Sequence, residues 1–118
     1  MNAAMSSSEE VARQLDALWQ KYLPTMLSRL ATIEAAIRAA EDGKPDEELK
    51  MKGAHEAHKL AGSLGTFGLH SSSAMSIKIE KILSEPIPLA GMTADLRNLF
   101  ESVRRDIDRR STMQDLEP

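Results

Sequence analysis

Apolar side chains recur every three to four residues along nearly the whole chain and nowhere alternate in the one-in, one-out pattern of a strand. A backbone with that pattern buries its apolar groups only as a series of amphipathic helices. Prolines and glycines divide the series. Ser8, Glu9 and Glu10 offer a helix start, with a hydroxyl cap and acids in the first turn, and Val11, Leu15, Leu18, Trp19 and Tyr22 follow at helical spacing. Pro24 forfeits a backbone donor and disfavours helix in the residue before it, so a break is predicted there. A second helix from near Pro24 carries Leu27, Leu30, Ile33, Ala36, Ile37 and Ala40 and is predicted to stop at Asp42 and Gly43. Pro45, Asp46, Glu47 and Glu48 open a third, which frays between Gly65 and Gly68. A fourth, over about residues 69–84, uses Met75, Ile79, Ile82 and Leu83 and ends before Pro86 and Pro88. The last uses Leu89, Met92, Leu96, Leu99, Phe100, Val103 and Ile107.

The predicted architecture is therefore all-α: an up-and-down four-helix bundle with a short additional N-terminal helix lying over one end. The bundle is expected over residues 9–110, between a flexible tail at 1–8 and a flexible tail or linker at 111–118. At 118 residues the chain has room for one core. It has no cysteine, which excludes disulfides and thiolate metal sites and fits a cytoplasmic setting. A net charge of -3 argues against nucleic acid as a partner, and no apolar run reaches membrane-spanning length. The protein is expected to be a monomer.

The third helix carries the chemistry. With His58 as the zero direction, Ala54, His55, Ala61, Gly62 and Gly65 fall within about 60°. Leu49, Gly53, Ala57, Leu60, Leu64 and Phe67 lie roughly opposite. The apolar stripe must face the core, so His58 is predicted to face solvent, ringed by side chains too short to shield it from a partner. Lys52, Lys59, Glu48 and Ser63 stand on one flank at roughly 80° to 140°, where the lysines would reach an anion at the ring. Glycine in a helix interior costs about 1 kcal/mol relative to alanine, and Gly62 and Gly65 on the same side as His58 suggest close approach of a partner. Ser63 is expected to bond back to the preceding turn's carbonyl. His55, three positions before His58, reads as a charge-tuning neighbour; two histidines with no evident third ligand make no metal site. His70 is expected near a helix start. Arg104, Arg105, Arg109 and Arg110, interleaved with Asp106 and Asp108, read as a solvated helix end.

The run His58, Lys59, Leu60, Ala61, Gly62, Ser63, followed by Gly65, Thr66, Phe67 and Gly68, resembles the signature of histidine-containing phosphotransfer (HPt) domains of two-component phosphorelays. The related domain of chemotaxis histidine kinases has a similar Gly-Thr-Phe-Gly ending. The usual form is His-x-Leu-Lys-Gly, and His58, Leu60 and Gly62 match it. The departure is Ala61, where many members carry the lysine that offsets the phosphoryl charge; Lys59 would substitute by reaching sideways.

The resemblance implies that His58 accepts a phosphoryl group from the aspartate of a receiver domain, or from a kinase, and passes it to the aspartate of a response regulator. Lys59, Lys52, His55, Ala61, Gly62 and Gly65 would support the group or the partner. It implies receiver domains of response regulators or hybrid histidine kinases as partners, and no cofactor on this chain, Mg²⁺ being supplied by the receiver. An ordinary imidazole is largely uncharged and nucleophilic near neutral pH, which suits the step. With no phosphate-cradling glycine loop, the chain is expected to be a relay intermediate with no ATP-dependent kinase activity of its own. The alternative is a docking module that binds receivers without chemistry.

Overall fold

The computed structural model describes residues 7–86 and 91–115, with side chains described to residue 112. Four helices make up the described chain: α1 (Ser7–Glu41), α2 (Glu47–Thr66), α3 (His70–Ser84) and α4 (Thr93–Asp115). Each packs against two others, α2 on α1 and α3, and α4 on α3 and α1, which closes the up-and-down ring around one core. The core runs from Trp19, Met26, Ile33 and Ile37 of α1 through Ala57, Leu60 and Leu64 of α2 and Ile79 and Leu83 of α3 to Leu96, Phe100, Val103 and Ile107 of α4.

The predicted leading helix and the helix after it are one continuous element of 35 residues, with Pro24 inside it. Proline removes one intrahelical bond and crowds the preceding turn, at a cost of about 3 kcal/mol in a helix interior. Two features offset that cost. Pro24 and Gln20, whose carbonyl loses its donor, are both exposed, so the unpaired carbonyl is not shut into the dry core. Trp19 and Met26, on either side of the proline, are both fully buried, and a break between them would take one out of line with the core. The leading segment is thus not a separate helix over the bundle end but the lower part of α1.

The other boundaries follow local chemistry. After α1, Gly43 adopts φ +73°, and the amides of Gly43 and Lys44 reach back to the carbonyls of Ala40 and Ala39, closing the helix with a left-handed residue. Asp46 caps α2, its carboxylate accepting from the Leu49 amide at 3.0 Å. At the far end Gly68 takes φ +81°, and the amides of Gly68 and Leu69 bond the carbonyls of Gly65 and Leu64. His70 opens α3, as expected of its position. The helical body begins at Ser7 and continues to Asp115, beyond the expected 9–110 at both ends; the expected role of Leu89 lies outside the described residues.

The Trp19 end is closed by a polar and aromatic lock. The indole Nε1 donates to Ser111 Oγ at 3.0 Å, Phe67 meets the ring edge-on at a centroid distance of 5.2 Å, and the Arg110 guanidinium lies 5.2 Å from the indole centroid while pairing with Asp16 at 2.7 Å. Arg110 is therefore half-buried and ties α4 to α1, unlike the solvated helix end read from the sequence. Arg104 and Arg109 stay exposed, paired within α4 to Glu101 and Asp106. At the opposite end Arg97 gathers Glu34, Glu41 and Glu101 at 2.8–3.3 Å. Among the described residues no helix is long and apolar enough to cross a membrane.

Candidate functional site

His58 stands on α2 with its side chain 70 % exposed, as the apolar stripe demands: Ala57, Leu60 and Leu64 are fully buried behind it. Its surroundings differ from the predicted ring of small residues. Ala54 and Ala61 are buried, and Gly65 lies against α3, where a Cβ on it would stand 3.5 Å from Ser73 Oγ. Ser73 Oγ also donates to the Ala61 carbonyl at 2.7 Å. On the helical wheel Ala54, Ala61 and Gly65 sit about 20–60° to one side of His58, and Met51, Gly62 and His55 a similar angle to the other. α3 occupies the first side. A wheel drawn from sequence fixes the angle from the histidine but not which flank a neighbouring helix covers. The open surface beside the imidazole is consequently Gly62, His55 and Met51, with Met51 68 % exposed.

Gly62 is exposed, carries no positive φ, and nothing lies within 4 Å of where its Cβ would be. The fold therefore does not require glycine there. Gly53 is the opposite case: a Cβ would meet Ala36 Cβ at 3.1 Å and Leu83 Cδ1 at 3.2 Å, where α1, α2 and α3 converge.

The structure adds a partner that sequence reasoning missed. Glu80 of α3 places Oε1 3.1 Å from His58 Nδ1. A carboxylate only accepts, so the bond requires the hydrogen on Nδ1, and the neutral ring then carries its lone pair on Nε2. The two residues are 22 apart in the chain, and Glu80 is one of many acids with nothing local to distinguish it. An open groove runs from the imidazole toward the start of α2. Ala54, Leu83, Met51 and Pro86 give it apolar walls, and His55 and Ser84 line it as well. Lys50, deep beside it, is buried, with its ammonium held by the Glu85 carbonyl at 2.7 Å and by Glu47 at 3.3 Å.

The cations predicted for the flank are present and already engaged. Lys59 lies 3.9 Å from Glu56 with 42 % of its side chain exposed, and Lys52 lies 3.2 Å from Glu48 with 64 % exposed. Glu56 also pairs with Arg29 of α1 at 3.4 Å, and Arg29 donates to Ser63 Oγ at 3.1 Å. Ser63 is thus an interhelical acceptor, not the donor to its own helix that the sequence suggested; Thr66 does that, donating to the Gly62 carbonyl at 3.0 Å. Among the described residues no group of three or more His, Cys, Asp or Glu side chains is placed to hold a metal ion.

The chain is thus a closed ring of four helices with a carboxylate-held imidazole exposed on its outer face. The sequence profile of the Hpt domain matches residues 17–112, which takes in all of α2 and α3 and most of α1 and α4. The chain belongs to the Hpt domain family, the histidine phosphotransfer modules of phosphorelays, whose members interact with receiver domains. It is also similar to Protein RcaC of Microchaete diplosiphon, 26 % identical over 109 residues that make up 92 % of this chain and 17 % of that protein. The chain thus spans well under two thirds of the relative's length. No solved structure matches it significantly.

Proposed function

We propose that His58 is the phosphoacceptor of a relay between receiver domains. The observation that carries this reading is the 3.1 Å contact from His58 Nδ1 to Glu80, on a ring that is 70 % exposed. With its hydrogen fixed on Nδ1, the imidazole directs the Nε2 lone pair outward to the phosphorus of a receiver's aspartyl phosphate. The N–P bond forms as the P–O bond to the aspartate breaks, the carboxylate leaves, and the reverse step delivers the group to a second receiver. Such a transfer needs positioning and charge neutralisation more than covalent work by the protein.

Two further features support the reading. Gly62 accepts the cost of glycine in a helix with no neighbour that requires it, which fits a surface kept low for an incoming partner. Position 61, where many family members carry lysine, faces α3 and is only 5 % exposed, so the neutralising cation is assigned to Lys59, released from Glu56, with Lys52 further off. The magnesium that such transfers use is assigned to the receiver.

The test is incubation of the chain with phosphorylated receivers. Acid-labile, alkali-stable label on the wild type that disappears in His58→Gln is the expected result. Receiver binding without label in either protein would replace this reading with that of a docking module.

A further inference from the structure

The lower part of α1 has an apolar stripe that the bundle leaves uncovered. At 35 residues α1 is about 52 Å long, against about 30 Å for the 20 residues of α2. The first α1 side chain to be fully buried is Trp19. Before and just after it, Val11 is 52 % exposed, Leu18 41 % and Tyr22 47 %, with Leu15 half-buried between them. These residues follow one another by four, three and four positions and fall within an arc of about 60°, the spacing of a two-helix seam and too contiguous for scattered surface apolar groups. Arg29, which pairs with Glu56 of α2, stands on the same line of α1, so the stripe continues the α2-facing line past the end of α2.

We propose that this stripe is the interface of a homodimer in which two copies of α1 pair antiparallel about a two-fold axis, in place of the monomer expected from sequence. The spacing reads the same in both directions, so Val11 of one copy meets Tyr22 of the other while Leu15 meets Leu18. A shallow depression lined by Val11, Ala12, Leu15, Ser7 and Ser8 then lies opposite the incoming Tyr22 ring. Charge selects the direction. Glu10 and Lys21 project on the same flank of α1, and neither forms an ion pair among the described residues; the Lys21 ammonium lies 5.9 Å from the Tyr22 centroid. In the antiparallel arrangement Glu10 of one copy falls within about 3 Å along the axis of Lys21 of the other, and symmetry repeats the pair. A parallel arrangement would place the Glu10 and Lys21 flanks of the two copies on opposite sides of the seam, and the pair would not form. The pairing uses no residue of the His58 site and stands independently of the proposed phosphotransfer.

Sedimentation equilibrium of the full chain tests the proposal. The expected mass is twice 13.0 kDa at high concentration. Leu18→Glu, at a position already open to solvent, is expected to give the single mass with an unchanged circular dichroism spectrum. Lys21→Glu is expected to weaken association roughly tenfold, and Glu10→Lys added to it to restore association. Because the chain has no cysteine, a mixture of the Val11→Cys and Tyr22→Cys proteins is expected to cross-link, while neither alone does. A single mass at every concentration, a dimer indifferent to Leu18→Glu, or a charge swap that fails to restore association would each overturn it.

Discussion

Substituting Gly62 by alanine separates what the fold needs from what a partner needs. The residue lies within α2, and no atom stands within 4 Å of the position its Cβ would take. The added methyl therefore meets nothing, and the helix recovers the propensity that glycine forfeits, about 0.5–1 kcal/mol. For a chain of 118 residues that corresponds to a rise in Tm of roughly 2–5 °C. Thermal melts followed by circular dichroism and by the lone tryptophan, Trp19, would read it. Gly53→Ala is the control, since a Cβ there stands 3.1 Å from Ala36 Cβ and 3.2 Å from Leu83 Cδ1. Overpacking of that kind costs about 1–3 kcal/mol, so this variant is expected to melt lower. The functional ranking should be reversed: Gly62→Ala slows transfer from a phosphorylated receiver, and Gly62→Leu slows it by roughly 10- to 100-fold by holding the partner off the imidazole. A Gly62→Ala protein that melts lower than wild type, or a Gly62→Leu protein that transfers at the wild-type rate, would refute the reasoning.

Three other outcomes are expected. Glu80→Leu should slow labelling of His58 far more than Glu80→Gln, because the glutamine oxygen still accepts from Nδ1 and preserves the tautomer; equal rates in both would remove Glu80 from the mechanism. Arg97 holds the carboxyl of Glu41 below its ordinary value of 4.5, and Glu101 is lowered first by Arg104 and then by Arg97, so the stability these carboxylates contribute is present above that pH and lost as pH falls through their lowered folded-state values. The Tm difference between wild type and Arg97→Met should therefore be constant near neutrality and shrink below about pH 4.5. Ser111→Ala should destabilise by about 1 kcal/mol in urea titrations, since it leaves the indole N–H of fully buried Trp19 without its acceptor.

The features legible in the sequence were those fixed by neighbours in the chain. The stop of α1 at Gly43, the opening of α2 at Pro45 to Glu48, its end between Gly65 and Gly68, and the outward direction of His58 each follow from residues nearby in the chain. Where the sequence misled, a distant contact decided the outcome. Pro24 signals a break, and only the joint burial of Trp19 and Met26 against other helices keeps α1 whole. Ala54, Ala61 and Gly65 look like an open face until α3 takes their side of the wheel. Glu80 and Met51 carry no local mark at all, because their meaning comes from a crossing of two helices.

The imidazole and the carboxylate that meets its Nδ1 sit on α2 and α3, neighbours joined by the three residues Phe67, Gly68 and Leu69. The hairpin brings imidazole and carboxylate together with little chain to close, whereas α4 must return across the whole ring to meet α1. Loosening along the α1–α4 seam would leave the hydrogen on Nδ1 and Nε2 still armed. The His58–Glu80 contact thus depends on the packing of α2 against α3, not on the closure of α4 onto α1.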